Sequence, residues 1–216
     1  MLPDWPFILT ALIAFLAGSL PTGLLVARLF KVDIRAVGSG NIGATNVFRV
    51  LGKGPGLFVL AVDALKGVVA VLGVPVLIAQ WFLAKGIKPP DSWVWLPILG
   101  GLCAVLGHNY TPWLKFRGGK GIATSAGVLA SLLPIAFGIA LITFLVLLAF
   151  TSYVSLASLA AALILPFAAW LTQKDPRLVW LAAVLAALAF YKHRSNIQRL
   201  IAGKENRIGH RKPPES

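Results

Sequence analysis

Three short islands of glycine, amide, hydroxyl and basic residues interrupt long apolar runs in this 216-residue chain: residues 38–49, 107–121 and 191–197. Their residue types suit the holding of phosphate. Gly38, Gly40 and Gly43 let a backbone approach a ligand closely. A helix N-terminus presents unpaired N–H groups to an anion. Ser39, Asn41, Thr45 and Asn46 add neutral donors, and Arg49 can close on a phosphate with its planar fork. In the second island Lys120, flanked by Gly119 and Gly121 and placed to open a helix, offers a point charge for phosphate. Lys115 and Arg117 read instead as headgroup-facing cations.

Two motif matches are misleading. Gly38, Gly40 and Gly43 satisfy G-x-G-x-x-G, with Asp63 downstream, but a dinucleotide site needs a preceding strand and this motif follows an apolar run. Gly118–Gly121 resembles the end of a nucleotide phosphate loop, yet Leu114 stands where its first glycine belongs and Gly121 replaces the magnesium-binding hydroxyl residue. His108 and His193 suit metal or general-base chemistry. The acids near these islands are only Asp33 and Glu205, so neither a metal site nor a carboxylate pair has material. Asp63 and Lys66, three apart, could pair inside a bilayer in a functional or a structural role. Ser155 by itself reads as a helix-packing residue.

The elements that must position these groups are membrane helices. The chain is 58% hydrophobic and 12% charged, with a mean hydropathy of +0.83, against about 25% charged residues in soluble domains. A net charge of +13 could indicate nucleic acid. Here the basic residues flank apolar runs, so they read as cytoplasmic topology and contact with anionic lipid. Cys103 sits in an apolar run and implies no redox chemistry.

Apolar runs lie near 5–29, 55–83, 93–109, 122–150, 152–172 and 177–192. Six spans from an outside N-terminus would leave the basic C-terminal tail outside, against the positive-inside bias. Splitting 122–150 at Pro134 makes seven and places all three islands and the tail in the cytoplasm. The exterior segments would be 1–4, 84–92 and 173–176. The split halves are short, so one can be partly re-entrant where protein surrounds it. A short interfacial helix is predicted over Asn41–Leu51, capped by Ser39, Gly40 or Asn41 and stopped by Gly52, Gly54 and Pro55. The expected fold is all-α integral membrane, one domain over 1–209 with a basic, proline-containing cytoplasmic tail at 210–216.

The segments 38–46 (GSGNIGATN), 118–124 (GGKGIAT), 153–158 (YVSLAS) and 191–197 (YKHRSNI) closely resemble, in order, the bacterial membrane glycerol-3-phosphate acyltransferases that use acyl phosphate as donor. The resemblance covers about residues 15–209. It implies transfer of a fatty acyl group from acyl phosphate to glycerol 3-phosphate, giving lysophosphatidic acid and phosphate for phospholipid synthesis. It also implies a multi-pass protein of the bacterial inner membrane with its active site on the cytoplasmic side. Ser39, Asn41, Thr45 and Lys120 would contact the donor phosphate; Arg49, Ser155, His193 and Asn196 would bind glycerol 3-phosphate or shape its pocket. Lys120, Arg49, Ser155 and Asn196 form the expected catalytic set. Gly40, Gly43, Asn46, His108, Gly119 and Gly121 complete the substrate-binding set. No cofactor, metal, nucleotide or nucleic acid is implied; membrane lipids are, and the sequence assigns no oligomeric state. An acyl phosphate is already activated, so positioning and charge stabilisation suffice, with a substrate phosphate oxygen as proton acceptor. A transporter of organic phosphates is the alternative. It would favour a midplane site between related halves.

Overall fold

The computed structural model describes residues 5–173 and 175–209, and every regular element among them is helical. The segment 1–4 expected on the exterior, Lys174 and the tail 210–216 lie outside the described residues.

The first apolar run is two helices, not one: α1 (Trp5–Ser19) and α2 (Thr22–Leu29). Pro21 lacks an N–H, which breaks the ladder and frees carbonyls in an apolar setting. Thr111 Oγ1 donates to Ser19 O at 2.6 Å and Lys66 Nζ to Leu20 O at 2.5 Å. The break is therefore a docking point for two distant segments.

Helix α3 (Ala44–Leu51) begins later than the sequence suggests. Its N-cap is Gly43 rather than Ser39, Gly40 or Asn41, because the Asn41 side chain accepts the Gly43 N–H at 2.9 Å and holds the preceding residues in a turn. Gly52, at φ 95°, ends α3 and starts α4 (Lys53–Val68). A π-helical stretch over Val69–Gly73 joins α4 to α5 (Val74–Leu83). Pro75 cannot donate to the preceding turn, and widening that turn relieves the clash.

A 3₁₀ turn at Asp91–Trp95 leads into α6 (Leu96–Asn109). The run at 122–150 does divide at Pro134, into α7 (Ile122–Leu132) and α8 (Pro134–Thr151), with Leu133 alone between them. Ile122 and Phe144, equally distant from Leu133 in sequence, line one cavity, so α7 and α8 run antiparallel. Helices α9 (Val154–Thr172), α10 (Pro176–Lys192) and α11 (Arg194–Ile201) complete the fold.

Among the described residues, four stretches are long and apolar enough to cross a membrane: Trp5–Leu29, Lys53–Leu83, Pro134–Thr151 and Val154–Thr172. Small residues bring the inner helices together. A side chain at Gly18 or Gly107 would strike the backbone of Ala104 or Phe15, so α1 and α6 meet at glycine distance; Gly67 and Gly127 do the same for α4 and α7. A shared core of Val105, Val128, Leu129, Leu133, Leu165 and Leu181 ties α6, α7, α9 and α10 together.

Candidate active site

The three islands converge on one cavity of about 140 Å³ at the end of the bundle where α3, α7, α9 and α11 begin. Each wall has a local cause. The first wall is the loop 34–43, pinned by Asn46 from α3: its Oδ1 accepts the Ser39 N–H at 2.8 Å, and its Nδ2 donates to Ile34 O and Val37 O at 3.1 Å. Gly38 and Gly40 take φ values of 63° and 69° here, which admit glycine most readily. Ser39, Asn41, Gly43 and Thr45 then face the cavity, and Arg49 enters from the end of α3.

The second wall is the glycine loop before α7. Gly118 and Gly119 donate to the carbonyls of Asn109 and His108 at 3.2 and 3.0 Å, and Lys192 Nζ also reaches Asn109 O, at 2.9 Å. Gly119 lies flat against the His108 imidazole, where any side chain would collide with Nε2. Gly121, the N-cap of α7, lines the cavity with Lys120, Ile122 and Ala123. The first turn of α7 thus presents its free N–H end to the same space as a lysine.

The third wall comes from the start of α9 and the junction of α10 and α11. Ser155 and Ser158, three apart on one face of α9, line the cavity. Lys120 Nζ donates to Asn196 Oδ1 at 2.5 Å, Asn196 Nδ2 to Glu205 Oε1 at 2.8 Å, and Arg199 Nε to Glu205 Oε2 at 2.7 Å. The chain reverses at Gly203, at φ 66°, and returns Glu205 and Asn206 to the site. The Ile208 N–H then bonds Ser152 O at 2.9 Å, and Arg207 stacks on Tyr153.

Burial sets the charge states. Desolvation, helped by the cations Arg199, Arg49 and Lys192 against Glu205, lowers the Lys120 ammonium to about 8. Desolvation and then Lys120 lower His193 to about 4, so its imidazole is neutral near pH 7. Its Nδ1 lies 2.7 Å from Ala189 O, which can only accept; Nδ1 therefore carries the proton and Nε2 the lone pair. The buried Arg49 Nε and Ser155 Oγ have no protein partner. Buried polar atoms are normally paired, so these two point to a ligand.

Twelve of the fourteen residues the sequence singles out line this cavity; Gly40 and Gly119 do not. Gly40 lies in the exposed turn and Gly119 behind the cavity against His108, so both shape the loops. Asn46 lines the wall, but its amide is spent on the loop. The expectation of a site poor in carboxylates is corrected: Asp63 and Glu205 both line it, each engaged by a cation or an amide. Sequence reasoning overlooked Ser158, whose spacing from Ser155 was a usable signal. Nothing in the sequence pointed to the return of Glu205.

The family model described as "Glycerol-3-phosphate acyltransferase" matches residues 8–203. A protein of that name from Geotalea daltonii is 46% identical over 193 residues, covering 89% of this chain and 93% of its own length. Another from Desulforudis audaxviator is 47% identical over 201 residues, covering 93% and 94%. Among solved structures, the integral membrane glycerol 3-phosphate acyltransferase PlsY (YgiH), glycerol 3-phosphate form, superposes with a TM-score of 0.81 at 37% identity, covering 94% of this chain and 96% of that one. Its lysophosphatidic acid form gives 0.79 at 36% identity, covering 94% and 95%.

Proposed function

Because the chain belongs to the glycerol-3-phosphate acyltransferase family, we propose that it transfers a fatty acyl group from acyl phosphate to glycerol 3-phosphate, releasing lysophosphatidic acid and phosphate. The observation that carries the residue assignment is the convergence of Arg49, Lys120, Ser155 and Asn196 on one cavity, with Arg49 Nε and Ser155 Oγ unpartnered.

Arg49, Ser155 and Asn196 hold glycerol 3-phosphate, and the lone pair of His193 Nε2 accepts a hydrogen bond from its primary hydroxyl, the one that attacks. Ser39, Thr45, the α7 N-terminus and Lys120 hold the donor phosphate. Asn41 and the glycines Gly43 and Gly121 keep the backbone close. Attack by the hydroxyl oxygen on the acyl carbon forms the ester bond. Cleavage of the carbon–oxygen bond to phosphate follows, and the proton passes to a phosphate oxygen. Preorganised cations and N–H groups stabilise the charge that moves onto carbonyl and leaving group. The acid side chains are already committed to Lys66, Asn196 and Arg199, which favours the substrate as proton acceptor.

Residues 1–209 form a single seven-crossing domain of the inner membrane. The crossings run along α1 with α2, α4 with α5, and α6 to α10 singly. The cavity faces the cytoplasm and α3 lies at the interface. Purified protein given acyl phosphate and glycerol 3-phosphate, with products weighed by mass spectrometry, is expected to form lysophosphatidic acid in the presence of chelator. Activity only with acyl-CoA would overturn the donor assignment. Cysteines at Ser39 and Arg117, both exposed, in a Cys103→Ala background should react with impermeant reagents only from inside; reaction from outside would reverse the topology.

A further inference from the structure

The cavity has a floor that takes no direct part in the acyl transfer. Asp63 lines it at 2% exposure, paired with Lys66 at 7%. Lys66 Nζ donates to Asp63 Oδ1 and to Leu20 O, both at 2.5 Å, so the pair is anchored on the break between α1 and α2. The same break holds the segment that leads to the glycine loop: Thr111 Oγ1 bonds Ser19 O, and Trp113 Nε1 donates to Ser19 Oγ at 3.0 Å. Asp63 Oδ1 lies 3.9 Å from His108 Nδ1, too far for a hydrogen bond but close enough to bias the ring. His108 Nε2 abuts Gly119, and its carbonyl accepts the Gly119 N–H. Lys120 is the next residue.

We propose that Asp63 is a positioning residue for acyl transfer, holding His108 and through it the glycine loop that carries Lys120. This rests on the phosphate-binding role given to Lys120 above. A buried ion pair is often no more stabilising than apolar side chains of the same volume, and ionisable residues within a membrane mark functional sites. The carboxylate biases the orientation of the imidazole through its charge, the imidazole backs Gly119, and the loop delivers Lys120 Nζ to Asn196. Without the pair the loop loosens and Lys120 meets more water.

The experiment compares wild type with the neutral, near-isosteric double variant Asp63→Asn/Lys66→Gln, measuring kcat and kcat/KM across pH. Lys120 is faced by Arg49 on α3, Lys192 and His193 at the end of α10, Arg199 on α11 and Glu205 on the returning chain; the double variant changes none of them. The expected result is a membrane-inserted protein of near wild-type melting temperature whose kcat falls tenfold or more. Its alkaline limb should also move upward by about one pH unit, because a wetter Lys120 regains basicity. A wild-type limb overturns the proposal, whether or not kcat falls, since a purely structural pair would leave Lys120 unchanged. Should the double variant fail to accumulate, Asp63→Glu, which keeps the charge but displaces the carboxylate, is measured in the same way. A wild-type profile there overturns it as well. Inactive wild type under these conditions would instead defeat the acyl-phosphate reading.

Discussion

The two ends of the helix bundle handle charge in opposite ways. At the end away from the cavity, Asp175 caps α10, accepts the Arg177 N–H at 2.9 Å and pairs with its guanidinium at 2.7 Å. Arg177 also stacks on Trp95, and Lys85 stands 4.3 Å over Trp81. Asp175 and Arg177 thus satisfy each other, and Arg177 and Lys85 rest on tryptophans, as expected of a boundary with lipid headgroups. At the cavity end, Arg49 keeps an idle donor and Lys120 rests against a neutral amide. Charge that is locally satisfied serves architecture; buried charge left incomplete awaits a ligand.

The sharpest break of this contrast is Lys120→Ala, which should remove most turnover. A charge-assisted contact contributes about 1.5–3 kcal/mol, roughly ten- to a hundredfold in rate. Lys115→Ala, one exposed cation along the same loop, should leave steady-state kinetics near wild type. Equal losses would mean that bulk basicity matters and position does not.

Arg49→Lys should act next most strongly, because an ammonium cannot reproduce two parallel bonds to a phosphate. Titration of glycerol 3-phosphate should show the Michaelis constant rising roughly tenfold, the size of one lost charged contact. An unchanged constant would remove Arg49 from the acceptor pocket.

A smaller effect is expected with pH. Burial lowers the Lys120 ammonium to about 8, below the ordinary lysine value, so kcat/KM should fall as pH rises through about 8. Stability moves the other way: between about 8 and the unfolded value the unfolded chain binds the extra proton, so this residue favours folding more as pH rises. Bound phosphate restores basicity, which places the limb of kcat higher than that of kcat/KM. Coincident limbs would dissociate Lys120 from the phosphate.

Smallest of all should be the paired substitution Asp175→Asn with Arg177→Gln at the opposite end. Turnover should stay within error of wild type, and a loss comparable to Arg49→Lys would erase the distinction between the two ends.

Much of the site was legible because its chemistry is local. Glycine, amide and cation in tight succession signal a loop built around an anion, and Lys120, Arg49 and Thr45 lie where that pattern puts them. Pro134 also divided a long run correctly, since proline both stops one helix and starts another. Pro21 carried a similar signal, yet the run around it was apolar enough to read as continuous. Glu205 was beyond reach, because its place depends on a reversal at Gly203 and on partners nine and six positions back in the chain. Asp63 and Lys66 were visible as a pair, but their contact with Leu20 O required the fold.

The unequal lengths of α7 and α8 carry one further consequence. They share a reversal at Leu133, yet α8 has 18 residues and α7 only 11. At about 1.5 Å per residue, α7 extends roughly 10 Å less far from that reversal than α8 does, which in a bilayer would set Lys120 deeper than the end of α8. Under the proposed function, an acyl phosphate would then meet Lys120 without being hoisted out of its leaflet. Each methylene drawn into water would cost about 0.8 kcal/mol, so a shallower site would impose an extraction barrier on every turnover. The small, water-soluble acceptor would make the descent instead.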